Sequence, residues 1–209
     1  MSDLNHPIVK QSFAAIDGEV GQHNLNEWEY AIARRVIHAT ADFDFLHLLH
    51  FSPQAIESGI SALARGVPIV ADVGMVKLGI KSAIAKTFNN PLIAAIEQAP
   101  SPLPGKTRTE TGLIQCFRDY PQAIYVFGNA PTALLALCSL LRNAAVRPPL
   151  VIGATVGFVS VIESKQVLSQ TAVPQIRVEG RKGGSAVAAA IVNALLILAW
   201  ENAGNRNDG

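Results

Sequence analysis

Short apolar runs that alternate with helix-compatible stretches constrain the fold of this chain most strongly. Four such runs, at residues 67–71, 123–127, 150–153 and 176–178, each end in a polar or glycine-containing turn. A weaker run lies at residues 91–96. Continuous apolar strands between helices are typical of βαβ units, in which parallel strands are buried on both faces. The pattern predicts an α/β fold with a mostly parallel sheet of about five strands flanked by helices.

The chain begins with a helical segment. Residues 7–20 have apolar side chains at helical spacing, which predicts a first helix. Asn26 is a cap-type residue followed by two glutamates, so a second helix should start there and end near Ala39. A third helix is predicted from Pro53 to Gly66, because proline favours a helix start and glycine favours a helix end.

The length of 209 residues suits one well-buried core better than two ordinary domains. We therefore expect a single domain over residues 1–209, with its core at about 6–200 and a polar, frayed tail at 204–209. The longest apolar stretch runs from residue 185 to 200. It is interrupted by Asn193 and is shorter than the ~20 residues that a spanning helix needs. It is predicted to be a buried terminal helix, with no membrane partner.

Residues 97–108 form the clearest predicted loop, with three prolines, one glycine and two basic residues. One interpretation is a linker between domains. The flanking stretches are too short to be separate domains, so we favour a surface loop over a binding site.

Composition bears on partners and on compartment. Hydrophobic residues make up 49% and charged residues 16%, which favours burial of apolar surface in an oligomer over a simple alanine- and valine-rich core. The net charge of +1 and the lack of a lysine run argue against nucleic acid. Cys116 and Cys138 form no CxxC pair and the start has no signal-peptide pattern, so we expect free thiols and a cytoplasmic location.

Four turns follow the predicted strands, at residues 72–75, 128–132, 153–157 and 180–185. In a parallel sheet these turns lie at the carboxyl ends of the strands, where ligands bind. Their backbone N–H groups could hold carboxylate or phosphate, and Arg181 and Lys182 add positive charge. The alternative is that the glycines only permit tight turns. The motifs GxxxxGK[ST], GxGxxG and GxSxG do not occur, which disfavours ATP, GTP, NAD and a serine hydrolase.

Of the five histidines of the chain, His38 is the strongest candidate for a functional group. His47 and His50 are three residues apart, but no known metal-ligand spacing is present, so no metal is predicted. His38 ends the second predicted helix, where the helix dipole favours an imidazolium. Such a group can donate a proton or a charged hydrogen bond. A helix-capping histidine with no ligand is the equally weighted alternative.

Several blocks taken together resemble the precorrin-8X methylmutase family over about residues 6–200. The blocks are HPI at 6–8, SF at 12–13, IHAT at 37–40 with DF at 42–43, FS at 51–52, GVPIV at 66–70, DV at 72–73, MV at 75–76, TR at 107–108, GNAPTAL at 128–134, VGFV at 156–159, ESK at 163–165 and GRKGGS at 180–185. The order of GNAPTAL, VGFVxxxESK and GRxGGS is the most specific part of the match.

The resemblance implies an isomerase of cobalamin biosynthesis that moves a methyl group from ring carbon 11 to ring carbon 12 of a corrin precursor. Such a sigmatropic shift needs no redox cofactor, and none is expected. The product would be hydrobyrinic acid or its cobalt form. The resemblance also implies a homodimer with the site near the subunit interface. The alternatives are a related tetrapyrrole isomerase or binder without turnover, and a non-catalytic corrinoid carrier of the same fold.

Site residues follow from the same resemblance. By motif match, Ser12, His38 and Arg108 fall on active-site positions. His38 would bond a pyrroline nitrogen of the substrate, Arg108 would pair with a carboxylate in a mobile loop, and Ser12 would orient the ligand. Thr107 and Asn129 are further expected substrate contacts. Arg181, Lys182, Gly183 and Gly184 are added here as carboxylate binders. Thr155 stands where the family usually has proline, which should loosen that turn slightly.

Overall fold

The computed structural model describes residues 6–205 of the chain. Its helices are α1 (Pro7–Val20), α2 (Glu27–Thr40), α3 (Phe45–Leu48), α4 (Ala55–Ala64), α5 (Gly74–Lys86), α6 (Ala95–Gln98), α7 (Arg108–Asp119), α8 (Pro131–Leu141), α9 (Val161–Ser169) and α10 (Ser185–Asn205). Its strands are β1 (Leu49–Phe51), β2 (Ile69–Ala71), β3 (Leu92–Ala94), β4 (Ile124–Phe127), β5 (Val151–Gly153) and β6 (Gln175–Val178).

The strands form one mixed sheet in the order β1-β6-β5-β4-β2-β3. The five predicted strands are all present and pair in parallel. The sheet has six strands where about five are expected, because β1 adds an edge strand that pairs antiparallel with β6. Its three residues are too few to show a period, and Ser52 fixes the pairing by exchanging two hydrogen bonds with Gln175. His50 therefore lies in a strand and shares no helical face with His47 of α3.

Residues along the central strands point alternately into two separate cores. Ile69, Ile124 and Ile152 join the core formed with α1, α2, α4, α5 and α10. Val70 and Tyr125 join the second core, formed mainly by α7, α8 and α9. Because side chains of successive strand residues point to opposite faces, both faces of a parallel sheet must be apolar. The result is a three-layer arrangement with helices on both sides of the sheet.

The predicted boundaries of the first helices are close to the observed ones. Helix α2 begins with the expected cap, because the side chain of Asn26 accepts from the backbone of Glu29 while the Glu29 carboxylate accepts from the backbone of Asn26. Helix α4 begins at Ala55, two residues later than predicted, because Gln54 before it has a left-handed backbone conformation with a φ of +61°.

The loop predicted at residues 97–108 is also shorter. Helix α6 ends at Gln98 and α7 begins at Arg108, so Arg108 does not lie in a mobile loop as expected. The side chain of Thr107 accepts a bond from the backbone of Glu110 and caps the start of α7.

Helix α10 is longer than the predicted apolar stretch and packs against α2, α4 and α5. Its residues Val187, Ile191 and Leu195 are buried, which confirms the prediction of a buried terminal helix. Within residues 6–205 it is the one helix long and apolar enough to cross a membrane by length and composition, and 56% of that window is buried inside the protein. The predicted frayed tail begins two residues too early, since the helix includes Gly204 and Asn205, and residues 206–209 lie outside the described part.

Gly112 offers a direct test of the packing between α6 and α7. A Cβ atom added there would lie 1.8 Å from the carbonyl oxygen of Ala95. We expect Gly112→Ala to lower the free energy of unfolding by about 1–3 kcal/mol, because the two helices must separate. Gly18→Ala in α1 is the matched control, since nothing lies within 4 Å of its Cβ. The control should stabilise by about 0.5–1 kcal/mol. Urea unfolding measures both, and equal effects would contradict the close approach.

Candidate active site

Asp72 ties together the carboxyl ends of β2 and β4, where the strand order changes direction. Its side chain is buried, and one carboxylate oxygen accepts from the backbone N–H groups of Gly128, Asn129 and Ala130 at 3.1, 2.6 and 2.8 Å. The other oxygen accepts from the N–H of Val73 at 2.9 Å. Burial raises the pKa of the Asp72 carboxyl, and these four N–H donors act in the opposite direction. Ligands of doubly wound folds usually bind at this switch point.

The backbone of the 128–130 turn is therefore unavailable to a ligand, which corrects the expectation of an anion-binding turn there. The N–H groups that we assigned to a carboxylate of the ligand already bind the carboxylate of Asp72. The side-chain amide of Asn129 is exposed and has no hydrogen bond within residues 6–205. Asn129 can thus donate a hydrogen bond to a substrate only through its side-chain amide.

The turn at residues 180–184 keeps part of its predicted binding capacity. Gly184 donates its N–H to the carbonyl of Ala154 at 2.7 Å, so this group serves the turn and not a ligand. The N–H of Gly183 has no partner among residues 6–205. Gly183 has a φ of +149°, and a Cβ there would lie 2.3 Å from the oxygen of Ala154. Glycine is required at this position because of both the backbone conformation and the close contact.

Lys182 links this turn to the segment that follows His38. Its ammonium group lies 2.6 Å from a carboxylate oxygen of Asp42 and 2.6 Å from one of Asp44. The hydrogen bonds that Lys182 donates to the two aspartates raise the pKa of Lys182, and the bond accepted from Lys182 lowers the pKa of Asp42. Lys182 is thus paired before any ligand arrives. Arg181 is exposed, has no ion pair within the described residues, and lies 5.9 Å from the ring centre of Phe158.

His38 and Ser12 lie on neighbouring helices. The imidazole of His38, in the last turn of α2, makes an edge contact with the ring of Phe13 on α1, with ring centres 5.5 Å apart. His38 is exposed, and neither ring nitrogen has a hydrogen-bond partner in the described part of the chain. The hydroxyl of Ser12 donates to the carbonyl of Ile8 at 3.0 Å and keeps its lone pairs available.

Thr107 and Arg108 lie where β3 ends. The Nε of Arg108 donates to the carbonyl of Ile96 at 3.1 Å, which leaves both terminal nitrogens of the exposed guanidinium for a bidentate partner. The hydroxyl of Thr107 caps α7 and also lies 3.1 Å from that of Thr132. Thr107 therefore joins the starts of α7 and α8. No hydrogen bond or ion pair connects Arg108 to His38 within residues 6–205.

Residues 6–205 contain no group of three or more His, Cys, Asp or Glu residues that could hold a metal ion. Both cysteines are free and buried. Burial raises the pKa of the Cys116 thiol to about 11, so it is a poor nucleophile at neutral pH.

Two buried charged residues at this edge have roles that the sequence does not predict. Asp72 is predicted only as part of the turn at 72–75 and of the DV block. Lys165 is predicted only as part of the ESK block, although the buried positions Val161, Lys165 and Leu168 have helical spacing. A lysine on an otherwise apolar helix face was the available signal.

The fold and the site define a class: a doubly wound α/β protein whose sheet edge presents cations, free polar side chains and an unpaired imidazole. The chain belongs to the precorrin-8X methylmutase family, whose profile matches residues 7–198. It is 57% identical to the cobalt-precorrin-8 methylmutase of Synechocystis sp., over 96% of this chain and 99% of the relative. It is 39% identical to the precorrin-8X methylmutase of Pseudomonas aeruginosa, over 90% and 93%. The crystal structure of precorrin-8X methylmutase from Thermus thermophilus superimposes with a TM-score of 0.87 at 38% identity, over 94% and 99%.

Asp72→Asn tests whether one carboxylate organises this edge. An asparagine must turn its NH₂ group towards at least one backbone N–H. We expect a loss of about 2–3 kcal/mol in the free energy of unfolding by urea, because hydrogen bonds to a charged acceptor are lost in a buried place. The exposed Asp119→Asn in α7 removes the same charge and should change stability by less than about 0.5 kcal/mol. If the two variants were equally stable, Asp72 would not have this organising role.

Proposed function

We propose that this chain catalyses the methyl shift that its family resemblance implies. The bond between the methyl group and ring carbon 11 breaks while the bond to ring carbon 12 forms. No electrons are gained or lost overall, so no oxidant or reductant is consumed. The observation that carries the proposal is the exposed imidazole of His38, with both nitrogens free.

His38 acts as a charged hydrogen-bond donor to a pyrroline nitrogen of the rearranging ring. Its position in the last turn of α2 supports this role, because the helix C-terminus stabilises a cationic side chain there. The bond withdraws electron density from the ring, and it strengthens as the methyl group moves, so it is stronger in the transition state than in the bound substrate. Such differential binding lowers the barrier, whereas equal binding of both states does not.

The carboxylates of the substrate bind to the cations that remain free at the sheet edge. Arg108 keeps two terminal nitrogens and Arg181 has no ion pair within residues 6–205. Gly183 adds a free N–H group. Lys182 can bind a substrate carboxylate only while its ammonium group stays paired with Asp42 and Asp44. Ser12 orients the macrocycle beside His38.

Relatives named for both forms of the substrate are similar to this chain: one named cobalt-precorrin-8 methylmutase is 57% identical, and two named precorrin-8X methylmutase are 39% and 34% identical. The hydrogen bond from His38 requires a ring nitrogen that keeps its lone pair, and a nitrogen coordinated to cobalt does not. The metal-free form, precorrin-8X, is therefore the substrate with which the role of His38 is tested.

The chain acts as a homodimer. Two exposed apolar groups flank the sheet edge and support this proposal: Met75 and Leu78 on α5, and Phe158 and Val159 after β5, which are 71–88% exposed. Exposed apolar surface of this kind is typical of interfaces. Light scattering should give twice the chain mass of 22.2 kDa at micromolar concentration. A mass of one chain would contradict the dimer.

His38→Ala should abolish methyl migration while tetrapyrrole binding stays measurable, because the other ligand contacts remain. Loss of a positioned proton or hydrogen-bond donor typically costs roughly 10²–10⁴-fold in rate. The assay follows the absorbance change of precorrin-8X conversion. His47→Ala on α3 is the matched control, since that exposed histidine has no assigned role, and it should retain wild-type turnover. If His38→Ala converts the substrate as fast as the wild type does, His38 has no role in catalysis. If the wild type itself is no faster than the uncatalysed reaction, the chain is a corrinoid carrier and not an enzyme.

Arg108→Ala should show the opposite pattern, with weaker substrate binding and a smaller effect on kcat. Removing one charge-assisted bidentate contact should raise the KM by roughly tenfold or more. Arg118→Ala, an exposed position on the same helix, is its control. An unchanged KM in Arg108→Ala would contradict its assignment to a substrate carboxylate.

A further inference from the structure

Lys165 is a buried cation beneath the 180–184 turn. The residue is 1% exposed, and its ammonium group donates to the carbonyl oxygens of Gly180 at 2.9 Å and Lys182 at 2.8 Å. No carboxylate lies within salt-bridge distance in the described part of the chain. A lysine ammonium carries three hydrogens, so two carbonyl groups satisfy only part of it.

The surroundings of Lys165 supply little compensating charge. Its own helix α9 carries Glu163, α8 carries only Cys138 as a titratable group, and β6 carries Arg177. Glu179 is the acid whose charge acts on Lys165, but it is already paired with Arg177 at 2.9 Å. Two further cations, Arg181 and Lys182, lie on the turn itself. Burial lowers the pKa of Lys165 to about 8, and Glu179 only partly offsets this.

An unpaired buried charge is costly to a folded protein. Here the cost falls at the place where an anionic ligand is expected. The two carbonyl groups that Lys165 binds flank Arg181, whose side chain is free, and precede Gly183, whose N–H is free. The ammonium group therefore fixes the backbone from which both ligand-binding groups project.

We infer that Lys165 is a positioning residue for ligand carboxylates: it shapes the 180–184 turn and supplies a buried positive charge that the bound ligand neutralises. This inference rests on the proposed function, because it assumes a ligand rich in carboxylates. The ligand need not touch Lys165. Its negative charge at Arg181 and Gly183 acts on the ammonium group through a medium of low dielectric constant.

One measurable consequence is proton uptake on binding. Ligand carboxylates favour the charged form of Lys165, so the pKa of Lys165 is higher in the complex than in the ligand-free protein. At a pH below the ligand-free pKa, the lysine is charged both with and without ligand, and affinity is highest. As the pH rises through about 8, binding must bring a proton, and affinity falls. The loss reaches about tenfold for each unit by which the ligand raises the pKa.

Calorimetric titration with hydrobyrinic acid between pH 7 and 10 tests the inference. Repeating each titration in two buffers of different ionisation enthalpy gives the number of protons taken up on binding. We expect Lys165→Met to bind more weakly at pH 7 and to lose the proton uptake seen in the wild type near pH 8.5. Lys81→Met, an exposed position on α5, removes the same charge and should keep both the affinity and the uptake. A lysine with only a structural role would change affinity without changing the number of protons.

The outcomes separate this inference from the proposed function. If the wild type binds the ligand and Lys165→Met keeps the same proton uptake, the inference on Lys165 is wrong while the proposed function stands. If the wild type neither binds hydrobyrinic acid nor converts precorrin-8X, the proposed function fails and the inference fails with it. If Lys165→Met does not fold, His38→Ala replaces it, because it removes the imidazole of the site and leaves Lys165 in place. Uptake near pH 8.5 that persists in His38→Ala supports the inference, and its absence overturns it.

Discussion

The carboxylate of Asp72 is the interaction on which the arrangement of the sheet edge depends. It lies at the end of β2 and accepts hydrogen bonds from three backbone N–H groups of the turn after β4, which lie 56–58 residues further along the chain. Those groups would otherwise be unpaired at the start of α8, in a buried place where unpaired donors are costly. The crevice at the switch point is thus closed by the protein itself.

This closure changes how the site can bind an anion. Many α/β proteins hold phosphate or carboxylate with backbone N–H groups at a helix start. Here Asp72 accepts hydrogen bonds from those groups at residues 128–130, and Gly184 donates its own to Ala154 after β5. Binding is left mainly to side chains, namely Arg108, Arg181 and the imidazole of His38, together with the one free N–H group of Gly183. Two opposite buried charges, Asp72 and Lys165, fix the turns from which other ligand contacts project. A broad, flexible macrocycle with several carboxylates suits such dispersed cations better than a small phosphate does.

Most of the fold could be predicted from the sequence, because the parallel strands are buried on both faces and read as continuous apolar runs. Strand β1 could not, since its three residues carry no period and Ser52 and Gln175 hold it by contacts distant in sequence. Helix α7 is not predicted, although Thr107 and Glu110 have the spacing of a helix cap, because the three prolines and the glycine before them favour a loop. The prediction that the 128–130 turn binds an anion of the ligand was wrong because its N–H groups bind Asp72, a contact distant in sequence that no local pattern shows.

The structure of this chain with bound hydrobyrinic acid tests the central claim most directly. The account predicts that the macrocycle lies across the carboxyl edge of the sheet, with a ring nitrogen of His38 within about 3.2 Å of a ring nitrogen of the ligand. Ligand carboxylates should lie against Arg108 and Arg181, and the turn held by Lys165 should keep its position. A macrocycle bound elsewhere, or an imidazole of His38 that makes no hydrogen bond to it, would contradict the account.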